Sequence, residues 1–118
     1  MGEGWSDLMA VAVNLKPGDK RNKDSTVGSW VSGQPQGIRQ YPYSTSLKAN
    51  PLTYADLDDI SQVHAIGTVW ASMLYEVLWN IVDEHPVEEA EMPEVDGEGV
   101  PTDGRFLTMK LLMDGMAL

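Results

Sequence analysis

The longest apolar run in the chain, residues 63–82, has the spacing of a buried helix. Apolar side chains recur there at intervals of three and four residues: Ile66, Val69, Trp70, Met73, Leu74, Val77, Leu78 and Ile81. The polar residues form one narrow stripe: His64, Thr68, Ser72, Glu76, Asn80 and Asp83. Because most of the circumference is apolar, we predict a core helix whose polar stripe faces water or a cleft.

The same run is long enough to cross a bilayer, so a membrane span is the alternative. It nevertheless contains His64 and Glu76, and Asp83 and Glu84 follow at its end. Since charged groups inside a bilayer are costly, the core helix is favoured and no membrane partner is expected.

Two shorter apolar patterns predict a helix at each end of the chain. Near the N-terminus one helical face carries Trp5, Leu8, Met9, Ala12 and Val13, and residues 16–18, Lys-Pro-Gly, end the helix. Glu3 and Asp7 are predicted on roughly the opposite face, one turn apart, where periodicity alone indicates solvated acids favoured by the helix dipole. Thr102 is predicted to cap the final helix, whose apolar positions run from Phe106 to Met116.

The segments between these helices contain many glycines and prolines and show no helical period. Residues 16–50 are predicted to be a long, ordered, irregular loop with short extended pieces at 29–31 and 38–43. Thr53 and Asp56 form a variant capping box that opens a short helical turn. Residues 85–104 are acidic and are predicted to form a linker or a solvated loop; calcium binding is conceivable there, but no EF-hand spacing is present.

Composition narrows the class of protein. The chain has 118 residues, enough for one domain at most, and a formal net charge of −10. This negative charge argues against nucleic acid as a partner. With no cysteine, a disulfide framework and a thiolate site are both excluded.

Three stretches together resemble one family, the fungalysins, which are secreted zinc metalloendopeptidases of the thermolysin-like clan. They are GEGWSDLMA at 2–10, GIRQYPYSTSL with NPLTY at 37–54, and VHAIGTVWASMLYEVLWN at 63–80. VPTDGRFLTMKLLMDGMAL at the end of the chain fits the same family.

The resemblance implies a mainly α fold, the C-terminal helical subdomain of a thermolysin-like metallopeptidase with a long irregular loop region. It makes residues 1–118 part of a single metallopeptidase catalytic domain. It also implies an extracellular hydrolase, a protease made as a zymogen with its own propeptide, acting on proteins and peptides.

The resemblance also implies roles for particular residues. Glu3 matches the third zinc ligand, and Asp7 matches the carboxylate that orients a ligating histidine, a role that fixes the tautomer and basicity of such a ligand. Arg39 resembles the arginine that holds a substrate backbone carbonyl next to the scissile bond. His64 resembles the histidine that donates a hydrogen bond to the tetrahedral oxyanion, and Asp59 is its candidate carboxylate partner.

The chain departs from the family pattern in one respect, because no HExxH motif occurs in it. That motif would supply two histidine ligands and the glutamate base that deprotonates a zinc-activated water. Catalytic zinc takes three protein ligands, and Glu3 is the one ligand that this chain offers. We therefore expect the chain to be a fragment of a longer parent enzyme, with the HExxH-bearing half upstream of Met1. The fragment alone is expected to be inactive.

Two readings without peptidase chemistry remain open. One is a small acidic helical domain that binds or scaffolds other molecules. The other is a myristoylated peripheral protein, because residues 1–6 fit the Met-Gly-x-x-x-Ser pattern. An in-frame HExxH motif upstream of Met1 would favour the peptidase over both.

Overall fold

The structure, a computed structural model, describes all 118 residues and is helical. Its helices are α1 (Gly2–Asn14), α2 (Ser29–Ser32), α3 (Val63–Glu84) and α4 (Gly104–Met116), with a 3₁₀ helix at Tyr54–Asp58. Pairing between extended segments is confined to two isolated antiparallel bridges, Ser25 with Tyr43 and Val95 with Pro101. The predicted mainly α fold with a long irregular loop region is confirmed.

The predicted core helix is α3, which runs two residues past its predicted end and packs against both α1 and α4. Its buried residues are Gly67, Thr68, Val69, Ala71, Tyr75, Leu78, Trp79 and Val82. Two residues that the periodicity assigned to the core, Met73 and Val77, are instead 37% and 48% exposed. Helices α1 and α4 pack against the side of α3 that carries small and aromatic residues. The buried face of α3 therefore differs from the face that the apolar periodicity predicted. By length and composition α3 could also cross a membrane, but Tyr75, Leu78 and Trp79 lie in the hydrophobic core.

The N-terminal helix α1 exists as predicted, but its buried face differs from the predicted one. The buried residues are Gly4, Asp7, Leu8, Val11 and Ala12, whereas Val13 is 52% exposed. Asp7 therefore points into the protein, and the prediction of a solvated face for it was wrong. A buried carboxylate needs partners to offset its lost hydration, and Asp7 has them in the loop region.

Helices α1 and α3 cross at Gly4 and Gly67, where the backbones of the two helices are in direct contact. A Cβ atom added to Gly4 would lie 2.3 Å from the carbonyl oxygen of Gly67, and one added to Gly67 would lie 2.8 Å from Cβ of Glu3. Any side chain at either glycine would force the helices apart. This close crossing brings Glu3, the neighbour of Gly4, towards the first turn of α3, where His64 lies.

The loop region between α1 and α3 is irregular as predicted, with one difference. Residues 29–31 are helical, in α2, and not extended. The second predicted piece, residues 38–43, pairs with the chain near both its ends, because Ile38 N–H donates to Val27 O and Tyr43 pairs with Ser25. The capping box at Thr53 is confirmed: the Asp56 carboxylate accepts hydrogen bonds from the Thr53 N–H at 2.6 Å and hydroxyl at 2.9 Å.

A buried ion pair between Asp103 and Arg105 connects the start of α4 to Leu15, the residue that follows α1. The residue that caps α4 is Asp103 and not the predicted Thr102, since the Asp103 carboxylate accepts the Arg105 N–H. The Arg105 guanidinium donates to Asp103 at 2.8 Å, to Leu15 O at 3.0 Å and to Glu88 O at 3.0 Å. Burial acts to raise the pKa of Asp103, but the hydrogen bonds from Arg105 and the Glu88 N–H outweigh it and hold that pKa below its usual value.

A second arginine covers the C-terminal half of the polar stripe on α3. Arg21, from the loop region, donates to Glu76 at 2.9 Å, to Asn80 at 2.5 Å and to Asp83 at 2.8 Å. The stripe is therefore divided between two environments. Its last residues bind Arg21, while His64 and Thr68 near its start line a cavity.

Candidate active-site face

The close crossing of α1 and α3 pairs Glu3 with His64. Oε2 of Glu3 lies 3.0 Å from Nδ1 of His64, and the two side chains are 46% and 47% exposed. Nε2 of His64 and Oε1 of Glu3 have no hydrogen-bond partner within the chain. Each half-exposed side chain thus lies beside the other and keeps one polar atom without a partner in the chain.

One turn along α1 from Glu3, Asp7 holds Arg39 of the loop region. The guanidinium donates through Nε to Oδ2 at 2.7 Å and through Nη2 to Oδ1 at 2.9 Å. This hydrogen bonding to Asp7 raises the pKa of Arg39 against the opposing effect of burial. Nη1 of Arg39 donates to no group of the chain, so the outer edge of the guanidinium is free to bind a ligand.

Tyr43 completes the set of groups around Asp7. Its hydroxyl donates to Oδ2 of Asp7 at 2.5 Å, and its side chain is almost fully buried. Burial, together with the neighbouring Asp7 carboxylate, raises the pKa of Tyr43 far above its usual value. The hydroxyl therefore keeps its proton and remains a donor at any physiological pH.

Arg39 and His64 line the same cavity, which has a volume of about 320 Å³. Its other lining residues come from the loop region and from the first turns of α3: Ile38, Gln40, Leu52, Ile60, Gln62, Ala65 and Thr68. The walls are therefore partly apolar, with the arginine and the histidine as their charged or ionisable groups. The cavity therefore offers nitrogen groups for hydrogen bonding within partly apolar walls, the usual composition of a ligand-binding cavity.

The structure brings together four of the five residues predicted for the site. Glu3 contacts His64, Asp7 contacts Arg39, and Arg39 shares a cavity wall with His64. Asp59 makes no hydrogen bond to His64, and the carboxylate beside the imidazole belongs to Glu3 instead. The functional roles of these residues remain predictions.

Tyr43 was not among the residues predicted for the site from the sequence. The residue stands in a stretch without helical or strand periodicity, so its burial could not be recognised from spacing. The one available signal is its position four residues after Arg39 in a loop that also contains Trp30 and Tyr41.

The donors of this chain do not by themselves make a zinc site. No group of three or more histidine, aspartate or glutamate side chains is arranged to hold a metal ion. Glu3 presents one exposed carboxylate, and His85 lies at the opposite end of α3 from His64, about 30 Å away at 1.5 Å per residue. A catalytic zinc ion needs three protein ligands, so the set is incomplete.

Comparison with known proteins identifies the class to which this helical unit belongs, the metallopeptidases. The family model described as fungalysin metallopeptidase matches residues 1–118, and the chain belongs to that family. The resemblance found in the sequence is confirmed.

The curated relatives that match this chain are longer proteins, and the match covers a part of each of them. The chain is 64% identical to the extracellular metalloproteinase mep of Aspergillus fumigatus and 60% identical to the extracellular metalloproteinase MEP of Neosartorya fischeri. It is 58% identical to the extracellular metalloproteinase 9 of Coccidioides posadasii. Each match covers the whole chain and 18% of the relative.

Proposed function

We propose that this chain is part of the catalytic domain of a secreted, zinc-dependent metalloendopeptidase that hydrolyses peptide bonds in proteins. Family membership and the extracellular metalloproteinases among its relatives support the activity and the location. The observation that carries the proposal is the shared cavity wall of Arg39 and His64, each with a side-chain nitrogen that has no partner in the chain. The substrates are proteins and peptides, and the parent enzyme's own propeptide is a further partner.

Glu3 is the metal ligand that this chain contributes. Its Oε1 has no partner in the chain and can bind a cation while Oε2 lies 3.0 Å from Nδ1 of His64. When bound, zinc supplies Lewis-acid chemistry: it polarises the scissile carbonyl and lowers the pKa of a water molecule. The isolated chain lacks the remaining ligands, and we expect it to be inactive and to lose zinc on dialysis.

Arg39 positions the substrate. Nη1 lies on the outer edge of a guanidinium whose other edge is fixed by two parallel bonds to Asp7. A bidentate pair of this kind fixes the plane of the arginine as well as its charge. A substrate carbonyl oxygen in the cavity would therefore meet a donor of defined direction. Asp7 orients Arg39 in this arrangement, beside the role that its match to the family implies, which is to orient a ligating histidine of the parent enzyme.

His64 stabilises the negative charge that develops on the carbonyl oxygen. It lies in the first turn of α3, whose backbone is fixed in the core, and Oε2 of Glu3 lies 3.0 Å from Nδ1 of its ring. Nδ1 lies 3.0 Å from Oε2 of Glu3, and Nε2 has no partner in the chain, so a proton on Nε2 can be donated to the substrate oxygen. Such preorganisation is what makes an oxyanion donor effective, since the donor need not reorganise during the reaction.

Replacing His64 with phenylalanine in the parent enzyme tests this role. The substitution keeps most of the side-chain volume and removes the donor, so turnover should fall roughly 10²–10³-fold. The Michaelis constant and the zinc content should change little. His85→Phe is the matched control, because His85 follows the far end of the same helix.

Two results would contradict the assignment of His64. Near-normal turnover would make it an ordinary surface histidine. Loss of zinc together with activity would make it a ligand or a structural residue.

A further inference from the structure

We propose that Tyr43 is a positioning residue for the substrate-binding arginine: it fixes the Asp7 carboxylate and thereby the direction in which Arg39 presents Nη1. This inference rests on the role proposed above for Arg39. Tyr43 does not itself line the cavity, so its effect on the reaction passes through Asp7 and Arg39.

The hydrogen bonds around Asp7 carry the inference. Oδ2 accepts from both the Tyr43 hydroxyl and Nε of Arg39, while Oδ1 accepts from Nη2 of Arg39. In a bidentate pair the guanidinium and the carboxylate lie close to one plane, so rotation of the carboxylate turns the arginine with it. The Tyr43 hydroxyl is the one group other than Arg39 that donates to this carboxylate, and it therefore sets the plane.

Tyr43 is in turn held by the core of the protein. Its backbone exchanges two hydrogen bonds with Ser25, at 2.9 and 2.8 Å, and its ring lies 6.2 Å from that of Tyr75 in the hydrophobic core. A buried aromatic ring has little rotational freedom, so the hydroxyl has a fixed position. Restraint thus passes from the core through Tyr43 and Asp7 to Arg39, which lines the cavity.

Tyr43→Phe in the parent enzyme removes the hydroxyl and keeps the ring. With one of its three donors gone, Asp7 can rotate or recruit water, and Nη1 of Arg39 loses its fixed direction. A displacement of about 1 Å in a positioning group can cost roughly 100-fold in rate. We expect kcat/KM to fall about 10–100-fold, mainly through a higher KM, with unchanged zinc content.

Tyr75→Phe is the matched control for this substitution. Tyr75 is also fully buried, and its hydroxyl donates to Lys23 O at 2.6 Å, away from Asp7. Both variants lose one buried hydroxyl, so both should lower the melting temperature by a similar amount. Only Tyr43→Phe should change KM. Equal effects of the two variants on KM would reduce Tyr43 to a structural residue and overturn the inference.

A double-variant comparison tests whether Tyr43 acts through Arg39. The reference is the enzyme with Asp7→Asn and Arg39→Ala together, which removes both charges and so leaves no unpaired buried carboxylate. In this background Tyr43→Phe should cause no further loss of kcat/KM. A further loss as large as in the wild-type background would overturn the inference.

The same measurements separate failure of this inference from failure of the proposed role of Arg39. If the double variant of Asp7 and Arg39 cleaves peptides with unchanged kcat/KM, Arg39 has no substrate role and both statements fail. If that variant is impaired while Tyr43→Phe behaves like wild type, only the role of Tyr43 is wrong.

Discussion

The sharpest test of the proposed site is a substitution at Arg39, and the structure determines which substitution to make. Arg39→Ala would leave Asp7 buried with Tyr43 as its single partner. Removing one member of a buried ion pair costs about 3–5 kcal/mol of folding free energy. A loss of activity in that variant would therefore be confounded with unfolding. Arg39→Lys keeps the positive charge next to Asp7 and avoids this problem.

The expected magnitude follows from the geometry of the arginine. Arg39 uses two nitrogens on Asp7 and has Nη1 left for a substrate carbonyl. A lysine has one nitrogen, which cannot both pair with Asp7 and reach the carbonyl position. Loss of a charge-assisted hydrogen bond costs about 1.5–3 kcal/mol. At about 1.4 kcal/mol per factor of ten, kcat/KM should fall roughly 10–150-fold.

Steady-state kinetics on a peptide substrate, with zinc analysis and thermal unfolding of the same preparations, measures this loss. Arg21→Lys is the matched control, because Arg21 also makes several bonds to acidic and amide groups but lies on the other half of the α3 stripe. The control should keep its kcat/KM. If Arg39→Lys has the same kcat/KM as wild type, Arg39 serves only to neutralise Asp7, and the substrate role is refuted.

Two further predictions concern the metal and the acid stability. Glu3→Ala in the parent enzyme should lose zinc and activity together, because it removes a ligand; full zinc content with normal turnover would make Glu3 an ordinary acid at a helix end. Asp103→Asn should lower the free energy of unfolding by about 3–5 kcal/mol at neutral pH, since Arg105 stays buried without its anion. Because the pKa of Asp103 is lowered in the folded state, the stabilisation is complete above its unfolded value of about 3.9 and is lost as the pH falls below it. The difference between wild type and variant in denaturant unfolding should therefore shrink in acid, and a difference that is constant with pH would contradict this account.

The sequence by itself determined the helices and the family of this chain. The positions of α1, α3 and α4 follow from apolar residues at helical spacing and from the glycines and prolines between them. The capping box of Thr53 and Asp56 is equally local, since both partners lie within one turn. Glu3, Asp7, Arg39 and His64 were selected through the family resemblance, because periodicity alone assigns acids near a helix start to solvent.

Only the tertiary structure decided how those residues meet. Asp7 and Arg39 are 32 residues apart, and no local pattern shows that a loop arginine will neutralise an acid on a helix. The contact of Glu3 with His64 depends on the close crossing at Gly4 and Gly67, which either glycine alone would not indicate. Hydrophobic periodicity reports the average polarity of a helix face, whereas burial of a charge depends on a specific partner brought to it by the fold.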